Sequence, residues 1–140
     1  MLTTATAGRP EIVRVFLERL GRMEIDHAAD LLDDDCVMVF PYVEALDDVV
    51  GKAAIVTQIK ATMVEMLEAM HFTFESWFET GDGSTVIAEY RSKCPIRGRA
   101  GAFYENAYIG IFGFKGDRIV LYKEYLNPLK LDLYADKLSS

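Results

Sequence analysis

A chain of 140 residues, 51% hydrophobic and 26% charged, has the length and balance of one globular domain with one core. Its net charge of −7 and pI near 4.8 argue against nucleic acid or an anionic membrane as the main partner, since both select a basic face. No apolar run reaches membrane-spanning length, and the N-terminal MLTTATAGRP lacks the basic-then-apolar pattern of a secretory signal, so a cytoplasmic location is expected.

No repeat or low-complexity tract interrupts the chain; residues 1–9 read as a loose leader and 10–140 as a single domain. Pro10 suits the first turn of a helix, where its missing N–H costs nothing, and Ile12, Val13, Phe16, Leu17 and Leu20 come after it at helical spacing to a stop at Gly21. A second short helix is expected from Ile25 to Leu32, running into an acidic turn at Asp33–Asp35. CVMVF, residues 36–40, reads as a buried strand ended by Pro41, and PYVEALDDVVG as a loop. A third and longest helix spans Lys52 to Ala69, with Ile55, Ile59, Met63, Met66, Leu67 and Met70 as its apolar stripe.

The period then changes to two. HFTFESWFET, TVIAEYRSKCPI, AFYENAYIGIFGF and RIVLYKEYL read as four strands, with GDGS and KGD as tight turns, RGRAG as a connection and Pro128 as the end of pairing. Cys36 and Cys94 each fall in a strand and lack metal-ligand spacing, so reduced buried thiols are expected. Helices first and a meander afterwards imply an α+β fold with helices on one face of a curved sheet.

Three phrases carry a resemblance. They are VFPY closing the first strand with Gly51 opening the long helix, YENAYIGIF in the penultimate strand, and GDRIVLYKEYLNP at the end. Over roughly residues 10–130 the chain resembles the SnoaL-like branch of the nuclear-transport-factor-2-like superfamily, which holds polyketide cyclases, ketosteroid-isomerase relatives and phenazine A/B proteins. The resemblance implies a cone-shaped, cystatin-like α+β fold, its mixed or antiparallel sheet wrapped around three N-terminal helices. It further implies a pocket on one sheet face, a homodimer through the other, and no cofactor.

Glu124 stands on an otherwise apolar stripe with Val120, Tyr122 and Leu126. A carboxyl against such a wall has its pKa raised by desolvation, which suits a general acid or base near neutral pH. In phenazine A/B proteins the resemblance places an acid at this Glu-Tyr position. The stripe Tyr104, Asn106, Tyr108, Gly110 and Phe112 offers uncharged hydrogen-bonding groups that suit a carbonyl or enolate oxygen. Glu124, Asn106 and Tyr104 are therefore the catalytic candidates, with Tyr42, Ile59, Met63, Met66, Glu89, Tyr108 and Tyr122 as substrate contacts. His27 reads as a surface residue, His71 as a rim residue, Trp77 as a core or interface aromatic, and Glu105 as a partner for Arg91 or Lys93. No His/Cys/Asp cluster has metal spacing, and no glycine loop cradles a phosphate. The long helix shows no His or Ser on its stripe, which argues against phenazine-type imine chemistry. Its methionines suit an adaptable apolar cavity.

The residues support two readings of function. One is a cofactor-free enzyme of secondary metabolism that cyclises, isomerises or dehydrates an apolar carbonyl compound. The other is a non-catalytic ligand-binding or accessory dimerisation domain. Epoxide hydrolysis is a weaker third, requiring Glu89, Arg91 and Glu124 to surround one water. A buried Glu124 without a cationic partner favours the enzyme; one ion-paired at an interface favours the binder.

Overall fold

The computed structural model describes residues 8–132, so most of the expected leader lies outside the described residues. Helix α1 (Arg9–Gly21) places Pro10 in its first turn and buries Val13, Phe16, Leu17 and Leu20. The chain leaves it tightly: the amide of Met70 donates to the Gly21 carbonyl at 3.0 Å, tying the end of α1 to the start of the third strand. Helix α2 (Ile25–Ala29) stops three residues before the expected end, because Leu32 already belongs to strand β1 (Leu32–Val39).

The three aspartates therefore lie inside a strand, not in a turn before it. Asp34 and Asp35 are exposed between buried Leu32 and Cys36. They occupy an irregularity where the partner register jumps from Leu32↔Ile119 to Val37↔Leu121. A bulge lets consecutive like charges reach water while the flanking apolar residues stay inside. Strand β2 (Val49–Val50) pairs antiparallel with β1, within the segment that the sequence presents as a loop; two residues are too few to show a period.

Helix α3 (Lys52–Ile59) continues as a π-turn over Lys60–Val64 and is helical to Met66, three residues short of the expected end. Leu67 then bridges Ile96. The π-turn inserts one residue into the helical register and rotates the residues after it. Met66, expected on the apolar stripe, is consequently exposed.

Strands β3 (His71–Glu79), β4 (Thr85–Pro95), β5 (Phe103–Lys115) and β6 (Arg118–Leu126) form the antiparallel meander. The six-stranded curved sheet runs β2-β1-β6-β5-β4-β3, with β1 parallel to β6 and all other pairs antiparallel. The early strand thus closes the sheet against the last one, and β6 is central. On the inner face β4 buries Val86, Ala88, Tyr90, Ser92 and Cys94, while Arg91 and Lys93 point out. A bulge in β6, between the pairs Gly113↔Leu121 and Phe114↔Ile119, leaves Val120 as the extra residue. Ile119 is therefore the residue buried below Tyr122 and Glu124, where simple alternation assigns Val120.

One row across the sheet positions the interior carboxyl: Ala88 faces Gly110, and Gly110 faces Glu124. A Cβ on Gly110 would lie 2.7 Å from the Tyr90 hydroxyl and 2.6 Å from a ring carbon of Phe112. The missing side chain is the gap through which Tyr90, on β4, reaches over β5 to β6. Gly110→Ala is expected to lower stability by about 1–3 kcal/mol through overpacking. Gly81→Ala, whose Cβ would meet nothing within 4 Å, serves as the neutral control in the same denaturant titration.

Candidate functional site

Glu124 sits on the central strand and is 5% exposed. The Tyr90 hydroxyl donates to its Oε2, and the Tyr122 hydroxyl reaches the same oxygen at 3.3 Å. Oε1 accepts no hydrogen bond among the described residues, and no lysine, arginine or histidine among them forms an ion pair with the carboxyl. Burial pushes the Glu124 pKa up to about 7, against the lowering effect of the two phenol donors. The same burial, with the carboxyl beside them, holds the Tyr90 and Tyr122 phenols well above their ordinary value.

Packing fixes the donors. Tyr122 stacks on Phe112 at 5.4 Å between centroids and takes the edge of Phe16 at 5.3 Å. Tyr90 stacks on Tyr108 at 5.1 Å and meets Phe72 edge-on at 5.6 Å. Two-angle aromatic side chains held in this way cannot swing from the carboxylate without disturbing several rings.

A second polar cluster adjoins the first. The Ser92 and Tyr108 hydroxyls are 2.7 Å apart, and Tyr108 hydrogen-bonds Tyr104. The Asn106 amide donates to the Tyr104 hydroxyl at 2.7 Å. Burial pushes Tyr104 up to about 12 and Tyr108 well above the usual phenol range. Both remain neutral hydroxyls at physiological pH.

These groups line a cavity of about 280 Å³. The sheet contributes Tyr104, Tyr108, Tyr122 and Glu124; the helix contributes Gln58, Ile59, Thr62 and Met63; Val43, Ala45 and Leu46 of the loop and Leu131 add to the wall. Its surface is mostly apolar, and no lysine, arginine or histidine among the described residues lines it. Such a chamber suits an uncharged apolar ligand with an oxygen near Glu124.

The structure brings together six of the candidate residues: Glu124, Tyr104, Tyr108, Tyr122, Ile59 and Met63. Asn106 is buried, but both ends of its amide are occupied. Besides Tyr104, Nδ2 donates to the Asn127 carbonyl at 3.1 Å, while Oδ1 accepts from the amides of Ala107 at 2.8 Å and Asn127 at 3.0 Å. Asn106 therefore orients Tyr104 and clasps the end of β6; it is not a wall residue of the cavity. Tyr42 is exposed and packs edge-on against Tyr125, away from the chamber. Met66, rotated out by the π-turn, also lies outside it.

Glu89 and Arg91 lie on the outer face, Arg91 bonded to Glu75 at 3.1 Å, so the trio required for epoxide hydrolysis is not assembled. Glu105 is exposed opposite Lys93 and is not the partner of Arg91, a place that Glu75 takes. His27 is exposed beside Glu24, His71 is exposed at the start of β3, and Trp77 packs on Phe74 at 5.2 Å. Cys36 and Cys94 are free and buried. No group of three or more metal-type ligands occurs among the described residues.

Sequence reasoning missed three residues. Tyr90 carried a usable signal, since it shares a stripe with Ser92 and faces Tyr108 across β4 and β5. Gln58 and Thr62 follow the i, i+4 spacing of Ile59 and Met63 on the same side of the helix, a signal that the apolar stripe overshadowed.

Known proteins share this architecture. The uncharacterized protein YesE of Bacillus subtilis is 30% identical over 121 residues, covering 85% of this chain and 81% of its own. The crystal structure of a "Putative Isomerase from Bacillus subtilis" superposes with a TM-score of 0.76 at 29% identity, over 86% of each chain. An NTF2-like protein of unknown function from Burkholderia pseudomallei superposes with a TM-score of 0.74 at 12% identity, over 88% of this chain and 93% of its own. The SnoaL-like domain model matches residues 13–122. With that span and this sheet, the chain belongs to the SnoaL-like domain family, built on the nuclear-transport-factor-2-like fold.

Proposed function

We propose that the protein is a small enzyme that needs no cofactor and performs acid–base chemistry on an apolar carbonyl compound, by cyclisation, isomerisation or dehydration. One observation carries the reading: a buried carboxyl on a cavity wall, pushed up to about 7 by burial, with no cationic partner and one oxygen unbonded among the described residues. Glu124 is the group that moves the proton, through Oε1. Tyr90 and Tyr122 hold Oε2 and stabilise the charge whenever the proton is on the substrate. Tyr104 and Tyr108, neutral hydroxyls on the cavity wall beside the carboxyl, set the polar surface against which the substrate oxygen is oriented, whereas Asn106 does not line the wall. The apolar wall keeps water from competing for the proton.

The outer sheet face supports the further expectation of a homodimer, since Ile109 and Phe78 are exposed there as large apolar residues. Sedimentation is expected to give twice the 15.8 kDa chain mass, and a monomer at micromolar concentration would refute it. The two free buried thiols and the acidic charge fit a reducing compartment without nucleic acid as partner. No helix among the described residues is long and apolar enough to cross a membrane.

The chemical test uses hydrogen–deuterium exchange at the carbon beside the carbonyl of 2-tetralone, monitored by NMR. The protein is expected to accelerate exchange, with a rate that rises through pH 7 as Glu124 ionises and then levels. Glu124→Gln is expected to lower the acceleration about 10²-fold. Exchange no faster than buffer, or unchanged in a folded variant, returns the protein to the ligand-binding reading.

The same proton sets a stability profile that needs no substrate. Glu124 holds its proton up to about pH 7 when folded, but only to about 4.5, its ordinary value, when unfolded. Unfolding between those values releases a proton, so rising pH favours the unfolded chain there. The Glu124 contribution is fully present below 4.5, declines through the window, and is absent above 7, a change of about 3 kcal/mol. Glu124→Gln is expected to remove this decline; urea titrations giving parallel pH profiles for both proteins would contradict it.

A further inference from the structure

On the helical wall of the cavity, facing the sheet that carries Glu124, stands a second polar group. Gln58 and Thr62 both reach the wall from the helical side. The Thr62 hydroxyl donates to the Gln58 backbone carbonyl at 2.8 Å, so its proton is used and only its lone pairs face outward. The Gln58 carboxamide, half-buried, makes no hydrogen bond to any described residue. It therefore offers one acceptor and two donor positions. Residues 58, 59, 62 and 63, at i, i+1, i+4 and i+5, share one side of the helix, and all four line the cavity.

We infer that the ligand is a two-ended neutral molecule of one or two rings. It carries a carbonyl oxygen for the sheet end and a hydroxyl or N–H donor at its opposite end, read by Gln58 and Thr62. The inference rests on the proposed function for the carbonyl end alone. Three observations shape it. Thr62, its proton given to the Gln58 carbonyl, can only accept from a ligand, which favours a donor there. The absence of any cationic side chain on the wall selects against carboxylate or phosphate ligands. The volume, near 280 Å³, is about twice that of an apolar protein cavity that encloses benzene, which limits an enclosed ligand to about 10–12 non-hydrogen atoms. A four-ring skeleton would have to protrude.

Binding of 2-tetralone and 6-hydroxy-2-tetralone, measured by calorimetry, tests this. The second probe adds only a hydroxyl at the end remote from the ketone. The wild-type protein is expected to bind the hydroxylated ketone about 10-fold more tightly, the discrimination of a site that leaves polar groups unpaired without it. Gln58→Met, which keeps the length and apolar bulk of the side chain, and Thr62→Val, which keeps its shape, are each expected to reduce that preference several-fold. The readout is the ratio of the two affinities in each variant, which cancels any change in the wall that both ketones feel alike. Equal affinities in the wild-type protein, a preference that survives both substitutions, or no binding of either ketone at millimolar concentration would overturn the inference. The exchange assay separates the two readings: if exchange of 2-tetralone is no faster than in buffer while the hydroxyl preference persists, the proposed chemistry is wrong and the Gln58 end stands.

Discussion

A single uncompensated carboxyl organises the interior of this protein. Burying Glu124 without a cation is costly, and the fold offsets the cost with two phenols on one oxygen and a proton retained to near neutrality. Much of the sheet's detail serves that arrangement. Gly110 supplies the gap for Tyr90, the bulge at Val120 brings Ile119 into the core beneath Tyr122, and Phe112 and Phe16 brace the Tyr122 ring. Cationic partners on the inner face would have lowered the carboxyl's pKa; the charged residues of β4 face outward instead.

The work of the cavity is divided between its walls. The sheet carries the groups suited to moving a proton and holding an oxygen, all locked by ring stacking and by strand register. The helix and loops carry groups suited to telling one ligand from another. Asn106 joins neither set, yet it couples them. By holding Tyr104 with one bond and Asn127 with two more, it fixes the turn that leads to Leu131 on the opposite rim.

The fold was legible in the sequence because its signals are periodic and local. Alternation along β4, β5 and β6 set apart two faces of each strand without telling which lines the pocket, and turn residues marked the hairpins. The sequence failed where one residue was added to a regular element. The aspartates of β1 looked like a turn because a bulge in a strand and a break before one are both acidic and aperiodic. Val120 took the place of Ile119 on the inner face for the same reason. The π-turn displaced Met66, and no side-chain pattern announces a change from 3.6 residues per turn. Glu124 stood out as a charge on an apolar stripe. Asn106 also stood out, but its sequence position says nothing of how many bonds its amide already makes.

The parallel pairing of β1 with β6 bears on how the molecule is made. It joins residues near 32–39 to residues near 119–123, whereas the other main pairings are between neighbouring strands of the meander. Closing so long a loop is entropically demanding, so contacts of this span form slowly compared with hairpins. The meander can assemble the ring of tyrosines by itself, but the wall containing Met38 and Phe40 arrives only when the first strand docks on the last. Glu124 would pass from water to its buried state in that step, which makes the ionisation of one side chain a reporter of the final event in folding.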